Sequence, residues 1–233
     1  MTHHEKSFIG VGIYTVTEAS RLVGVPARTI RRWATGYTYS NSGAVRRSPP
    51  LWTAELPKID GSIALGFRDL IEVRVVQALL DNKISWRRIR RIGAASSKLL
   101  ETDHPFSTAR FRTCGHRIYL DLPKASGDSA LIEPEGFQLA MAKIIEPFLS
   151  DIDYGERGEA ARWWPLGKRN KGVVVDPNRA FGRPIVDSAG VPTAALYAAY
   201  NAEDKDAETV ARWYRISRGE VEKAVEFEER LAA

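Results

Sequence analysis

The chain has 233 residues, 44% of them hydrophobic and 27% charged, with a formal net charge of +5; this is the composition of an ordinary folded protein with room for two or three compact units. No apolar run approaches the roughly 20 residues that span a bilayer, and the N-terminal MTHHEKSF lacks the apolar core of a secretion signal, so a cytoplasmic protein with no membrane partner is expected. A single cysteine, Cys114, excludes an internal disulfide and agrees with a reducing compartment.

The charge is unevenly spread. Residues 1–100 hold 16 Lys and Arg against 7 Asp and Glu, residues 101–172 hold 10 against 11, and residues 173–233 hold 8 against 11. A basic front and a mildly acidic tail suit different partners, nucleic acid for the first and protein for the second.

Thr15 to Trp33 reads as two short helices joined by a tight turn. Thr15 and Glu18 form a T-x-x-E capping box that starts the first helix, and Val16, Ala19, Leu22 and Val23 recur on one side of it. Gly24 suits the left-handed position past a helix end, and Pro26 opens the second helix, where its missing N–H is tolerated. Ile30 and Trp33 point inward there. Arg28, Thr29, Arg31 and Arg32 are left for the outer face, where guanidinium groups bind phosphates or pair bidentately with a guanine edge.

Gly36 to Ser62 is rich in Tyr, Ser, Gly and Pro. Tyr37, Tyr39, Arg46 and Arg47 interleave aromatic and cationic groups, as in a wing that lies along a DNA backbone. Gly66 to Asn82 is apolar around much of its circumference, which predicts a helix buried in the core or half buried against a second chain. Ser85 then caps a helix with an apolar stripe, Trp86, Ile89, Ile92, Leu99 and Leu100, flanked by Arg87, Arg88, Arg90 and Arg91. Those arginines can supplement a DNA contact, meet an acidic partner, or simply be solvated.

Residues Arg110 to Leu122 alternate about Cys114-Gly115, predicting a β-hairpin. Cys114 and His116 do not add up to a zinc site, because about four ligands are needed and the other histidines are His3, His4 and His104. A hairpin also sends neighbouring side chains apart, so they do not form a nucleophilic pair. No catalytic residue, metal or cofactor is expected. Glu135 to Phe148 predicts an amphipathic helix, and 150–172, with Trp163-Trp164-Pro165, reads as a linker anchored by its tryptophans.

In the tail, Val173 to Val175 and Pro184 to Val186 read as short strands separated by an Asp176-Pro177 turn. Three helices follow, the first N-capped at Thr193, the second carrying Val210, Ala211 and Tyr214, the third opened by the capping box Ser217 to Glu220. The last helix bears Glu220, Glu222, Glu226, Glu228 and Glu229, which phosphate repels, so it suits a dimer or partner interface rather than DNA.

Two resemblances rest on these residues. YTVTEASRLVGVPARTIRRW, followed by GYTY and LGFRDLIEVRVVQALLDNKISWRRIR, resembles the MerR-type winged helix-turn-helix over roughly residues 13–100. Pro26 replaces the usual capping Ser or Thr, the wing region is longer, and the long coiled coil of ligand-sensing members is absent. The tail is similar to a short domain of VapB-like antitoxins, on Asp176-Pro177, Gly182 with Pro184, Val191-Pro192-Thr193, Val210-Ala211 with Tyr214, and Val221 with Ala224.

Together the resemblances imply an antitoxin that binds a cognate PIN-like ribonuclease toxin and represses its own operon by binding operator DNA. They further imply a homodimer or a higher toxin–antitoxin hetero-oligomer. Basic side chains that could meet an acidic nuclease site are Arg87, Arg88, Arg91, Lys168 and Arg169. The alternative is a MerR-like transcriptional regulator without a toxin, its tail serving dimerisation. The expected architecture is mainly α with small β-hairpins: a DNA-binding domain at 1–100, a hairpin, helix and linker region at 101–172, and a helical antitoxin-type domain at 173–233.

Overall fold

Thr15 starts the first helix by the mechanism its sequence dictates. In α1 (Val16–Val23) the Thr15 hydroxyl accepts from the Glu18 amide at 3.1 Å, and the Glu18 carboxylate accepts from the Thr15 amide at 2.8 Å, so two otherwise orphaned donors are satisfied. Gly24 ends the helix at φ 69°, and α2 (Ala27–Thr35) follows with Pro26 as its N-cap. The computed structural model describes residues 8, 10–41, 43–111, 146–170 and 172–232, and the side chains of Asn41 and Arg169 are outside that description.

Ahead of α1, strand β1 (Tyr14–Thr15) belongs to a two-stranded antiparallel sheet whose second member is Ala64–Leu65. After α2 come β2 (Tyr37–Asn41) and β3 (Ala44–Ser48), an antiparallel hairpin where a wing was expected. The Ala64–Leu65 strand, β4, leads into α3 (Phe67–Asp81). Phe67, Leu70, Ile71, Val73, Val75, Val76 and Leu79 are all buried within this one chain, each such side chain contributing about 1.5–3 kcal/mol. The alternative of half burial against a second chain is not what the structure shows.

Ser85 caps α4 (Trp86–Leu100), whose Ile89, Ile92 and Leu100 face the same core. Trp86 stacks on Trp33 of α2, with ring centroids 5.7 Å apart and planes 20° from parallel. The expected hairpin about Cys114-Gly115 lies outside the described residues beyond Phe111, as does His116. So does most of the helix expected at 135–148; residues 146–150 are helical.

The stretch read as a linker is instead sheet. β5 (Ile152–Tyr154) and β6 (Ala160–Trp163) pair with each other and then with β7 (Val173–Val175) and β8 (Pro184–Val186), in the order β5-β6-β7-β8, all antiparallel. Strands of three or four residues are too short to show alternation, and the charged turn between them hides what there is. Trp163 and Trp164 are each 3% exposed, and Trp164 Nε1 donates to Asp153 at 2.7 Å.

Three helices complete the chain: α5 (Thr193–Ala202), α6 (Ala207–Tyr214) and α7 (Arg218–Ala232). Their core is Leu196, Val210, Val221 and Ala224. Ser217 and Glu220 cap α7 reciprocally. Thr193, however, is not the cap of α5: Pro192 holds that place, and the buried Thr193 hydroxyl donates to the Glu228 carboxylate.

The tail is tied to the front of the chain. Buried Tyr14 donates its phenol to the Gly182 carbonyl at 2.7 Å, and the Ile13 amide donates to the Phe181 carbonyl at 3.2 Å. Gly182 has φ 80°, and a Cβ there would fall on the Tyr14 oxygen, so the close approach requires glycine. Among the described residues no helix is long and apolar enough to cross a membrane.

Candidate nucleic-acid interface

Helical periodicity divides α2 cleanly. Ile30, Trp33 and Ala34 are buried against the core, while Arg28, Arg31 and Arg32, at i, i+3 and i+4, share the exposed side. Thr29 is partly buried on the flank between the two. Among the described residues neither Arg28 nor Arg31 has an acidic partner, so their charges are open to an external anion.

Arg32 turns toward the wing. Its guanidinium carbon lies 3.9 Å from the centre of the Tyr37 ring, within cation–π range. Tyr37 in turn packs on Tyr39, with centroids 5.9 Å apart and planes at 47°. In the β2–β3 register Tyr39 faces Arg46 and Thr38 faces Arg47. Because successive residues of a strand alternate faces, Tyr37, Tyr39 and Arg46 line one side of the wing, and Thr38, Val45 and Arg47 the other.

The eight residues expected to meet DNA thus fall into an ordered set. Arg28, Arg31, Arg32, Tyr37, Tyr39 and Arg46 are brought onto a continuous surface from helix to wing. Thr29 borders it, and Arg47, although exposed, lies on the opposite wing face. At a strand rise of about 3.4 Å per residue the wing extends about 14 Å beyond its root.

Other groups hold that wing in place. Gly36 leaves α2 at φ 73°, where a Cβ would fall on the Ser48 carbonyl oxygen and lie 2.9 Å from the Pro49 carbonyl carbon. Leu51 N donates to the Trp33 carbonyl at 2.8 Å, and Arg90 of α4 donates to the Pro49 carbonyl at 2.8 Å. Asp69, wholly buried on α3, accepts from Trp52 Nε1 at 2.7 Å and from the Gly66 amide at 2.8 Å, and lies 2.9 Å from His104 Nε2. These contacts fix the returning loop on both sides. Sequence reasoning did not find Arg90 or Asp69 as supports; the one available signal was an acid three residues after Gly66, at the start of a helix.

Two further ionisable groups sit on α3, Glu72 wholly buried and Arg74 partly so. Burial, with nearby Asp69 adding to it, holds the Glu72 carboxyl well above the usual range, and the hydrogen bond from the Ser107 amide only partly offsets this. The Arg74 guanidinium, 4.2 Å from the centre of the Trp163 ring, is pushed down to about 10, again by burial.

The described basic residues expected to meet a nuclease lie on two elements, three on α4 and Lys168 after β6. Arg87 is exposed on α4, whereas Arg88 and Arg91 are partly buried and already engaged. Lys168 sits beyond β6, where its ammonium donates to the Ile152 carbonyl and pairs with Asp153, each at 2.9 Å. The Arg169 side chain lies outside the described residues.

An arginine-bearing helix continued by a wing is a surface that can neutralise phosphates and reach base edges. A family model described as "Putative DNA-binding HTH domain" matches residues 12–92, the span from β1 into α4. The curated protein "Putative antitoxin VapB45" of Mycobacterium tuberculosis H37Rv is 32% identical over 199 residues, covering 79% of this chain and 80% of that one. The crystal structure of Rv2018 from Mycobacterium tuberculosis shares the fold, with a TM-score of 0.71 over 93% of this chain and 99% of that chain, at 24% identity.

Proposed function

We propose that this chain, which belongs to the VapB45 antitoxin family, represses its own operon by binding operator DNA and neutralises a cognate PIN-like ribonuclease. The observation that carries the DNA half is the run of exposed guanidiniums on α2 that continues onto one wing face through the Arg32–Tyr37 contact. α2 enters the major groove with Arg28 and Arg31 toward the bases and phosphates, and the wing follows the backbone with Tyr39 and Arg46. A dimer doubles the contact over a two-fold operator.

The toxin half is supported by family membership and by the separation of charges. α7 exposes Glu222, Glu226 and Glu229, which a duplex repels, so the tail is free for protein while the front holds DNA. Arg87, Arg88, Arg91, Lys168 and Arg169 remain the candidate contacts to an acidic nuclease cleft, with Arg87 the most accessible of the described ones.

Expression of the adjacent reading frame alone and together with this chain tests the reading. Growth arrest by the neighbour, relieved on co-expression and accompanied by co-purification, is the expected result. A neighbour that is harmless alone and does not co-purify would leave a transcriptional regulator without a toxin.

A further inference from the structure

A cavity of about 340 Å³ lies where the DNA-binding front meets the tail, between α1 on one side and the start of α5 with the end of α7 on the other. Ile13, Leu22 and Leu231 supply apolar wall, and Arg21, Arg183 and Glu228 supply charge. Cavities of this size at such junctions, apolar with a few polar groups, are the usual form of small-molecule sites.

Glu228 is only 8% exposed. One of its oxygens accepts from the Thr193 hydroxyl, and the residue lines the cavity, its second oxygen not being among the sealed, unpartnered polar atoms of the described residues. A largely buried carboxylate facing a cavity is well matched by a charged donor. Arg21 and Arg183 are exposed on the same cavity and have no acidic partner among the described residues. The remaining wall acid, Glu18, is committed to the capping box with Thr15.

These groups select among ligand chemistries. A simple amine would meet Glu228 but be repelled by the two guanidiniums, and a simple carboxylic acid would meet the guanidiniums but be repelled by Glu228. We propose that the cavity binds an α-amino acid with an apolar side chain, its ammonium on Glu228, its carboxylate on Arg21 and Arg183, and its side chain against Ile13, Leu22 and Leu231. The site stands independently of the DNA and toxin assignments.

Calorimetric titration of the full chain with L-leucine and L-phenylalanine tests this, with 4-methylpentanoate and isopentylamine as probes that each lack one charged group. Saturable binding of at least one amino acid is expected, weakened about 10- to 100-fold by Glu228→Gln or by Arg183→Ala, the loss that follows from removing a charge-assisted hydrogen bond. Both single-charge probes should bind at least tenfold more weakly than the amino acid. Arg183 is exposed, so its variant retains the fold if Glu228→Gln does not. No binding of either amino acid at millimolar concentration, or binding unchanged in Arg183→Ala, would overturn the assignment.

Discussion

The Arg32 guanidinium rests on the Tyr37 ring at 3.9 Å, joining the last turn of α2 to the root of the wing. An exposed contact of this kind is worth about 0.5–1 kcal/mol. Its consequence is larger than its energy, because it divides the arginines of α2 by role. Arg32 is engaged with the wing, which under the proposed function leaves Arg28 and Arg31 to meet DNA.

That division predicts different behaviour in a double-mutant cycle. Arg31→Ala should weaken operator binding by about 1–3 kcal/mol if the side chain reads a base edge, and should do so independently of Tyr37. Arg32→Ala and Tyr37→Leu should each weaken binding, but the double variant should lose less than the sum, with about 0.5–1 kcal/mol of coupling. Fluorescence anisotropy with a labelled operator duplex measures all four corners. Full additivity of Arg32 and Tyr37 would mean that Arg32 contacts DNA directly.

The wing arginines should separate in their salt dependence. Arg46 shares a face with Tyr37 and Tyr39, and Arg47 lies on the other. Each lost phosphate contact lowers the slope of log K against log salt by about 0.9. Arg46→Ala should therefore flatten the slope by about one, whereas Arg47→Ala should leave it near the wild-type value. Equal effects would place DNA on both faces of the ribbon.

Gly36 should be intolerant of any side chain. Its φ of 73° and the nearby Ser48 and Pro49 backbone make Gly36→Ala both strained and obstructed, at about 1–3 kcal/mol for the backbone conformation alone. A lowered Tm and weakened operator binding are expected. Gly24→Ala is the control: its φ is 69° but nothing lies within 4 Å of the added carbon, so its loss should be smaller, about 1–2 kcal/mol.

Much of this surface is legible in the sequence because its causes are local. The Thr15–Glu18 box, Gly24, the inward pair Ile30 and Trp33, and the outward arginines all follow from spacing within one or two helical turns. What sequence missed depends on residues far apart in the chain. Arg90 reaches Pro49, Asp69 gathers Trp52 and His104, and Tyr14 meets Gly182; no period connects such pairs. The linker reading of 150–172 failed because β5 and β6 are strands of three and four residues that pair with each other across a charged turn, too short to show a pattern, and β6 then meets β7 through Trp163 and Val175. Thr193 looked like a cap because its residue type fits one, yet its hydroxyl is drawn inward by Glu228 from α7.

Glu72 predicts a pH dependence of stability. It is wholly buried, with one oxygen accepting from the Ser107 amide at 2.9 Å and the other unpartnered among the described residues. Its folded-state proton affinity is raised from an ordinary value of 4.5, by burial first and by Asp69 in addition. Between that ordinary value and the folded one, the folded chain keeps a proton that the unfolded chain has released, so stability falls as pH rises and levels off above the folded value. Each tenfold difference in proton affinity is worth about 1.4 kcal/mol. Glu72→Gln keeps an oxygen for Ser107 and cannot ionise; chemical unfolding across pH should show it flatter than wild type and more stable at neutral pH. An unchanged pH profile would show that Glu72 does not titrate in this way.

The central claim, that the α2 arginines form a duplex-binding ridge, is tested most directly by titrating the full chain against its own promoter region and a scrambled duplex of equal length at several salt concentrations. The expected result is preferential binding to the promoter with a steep negative salt slope, and loss of both in Arg28→Ala/Arg31→Ala, whose circular dichroism remains that of wild type. If the double variant binds the promoter as tightly and as selectively as wild type, α2 is not in the groove.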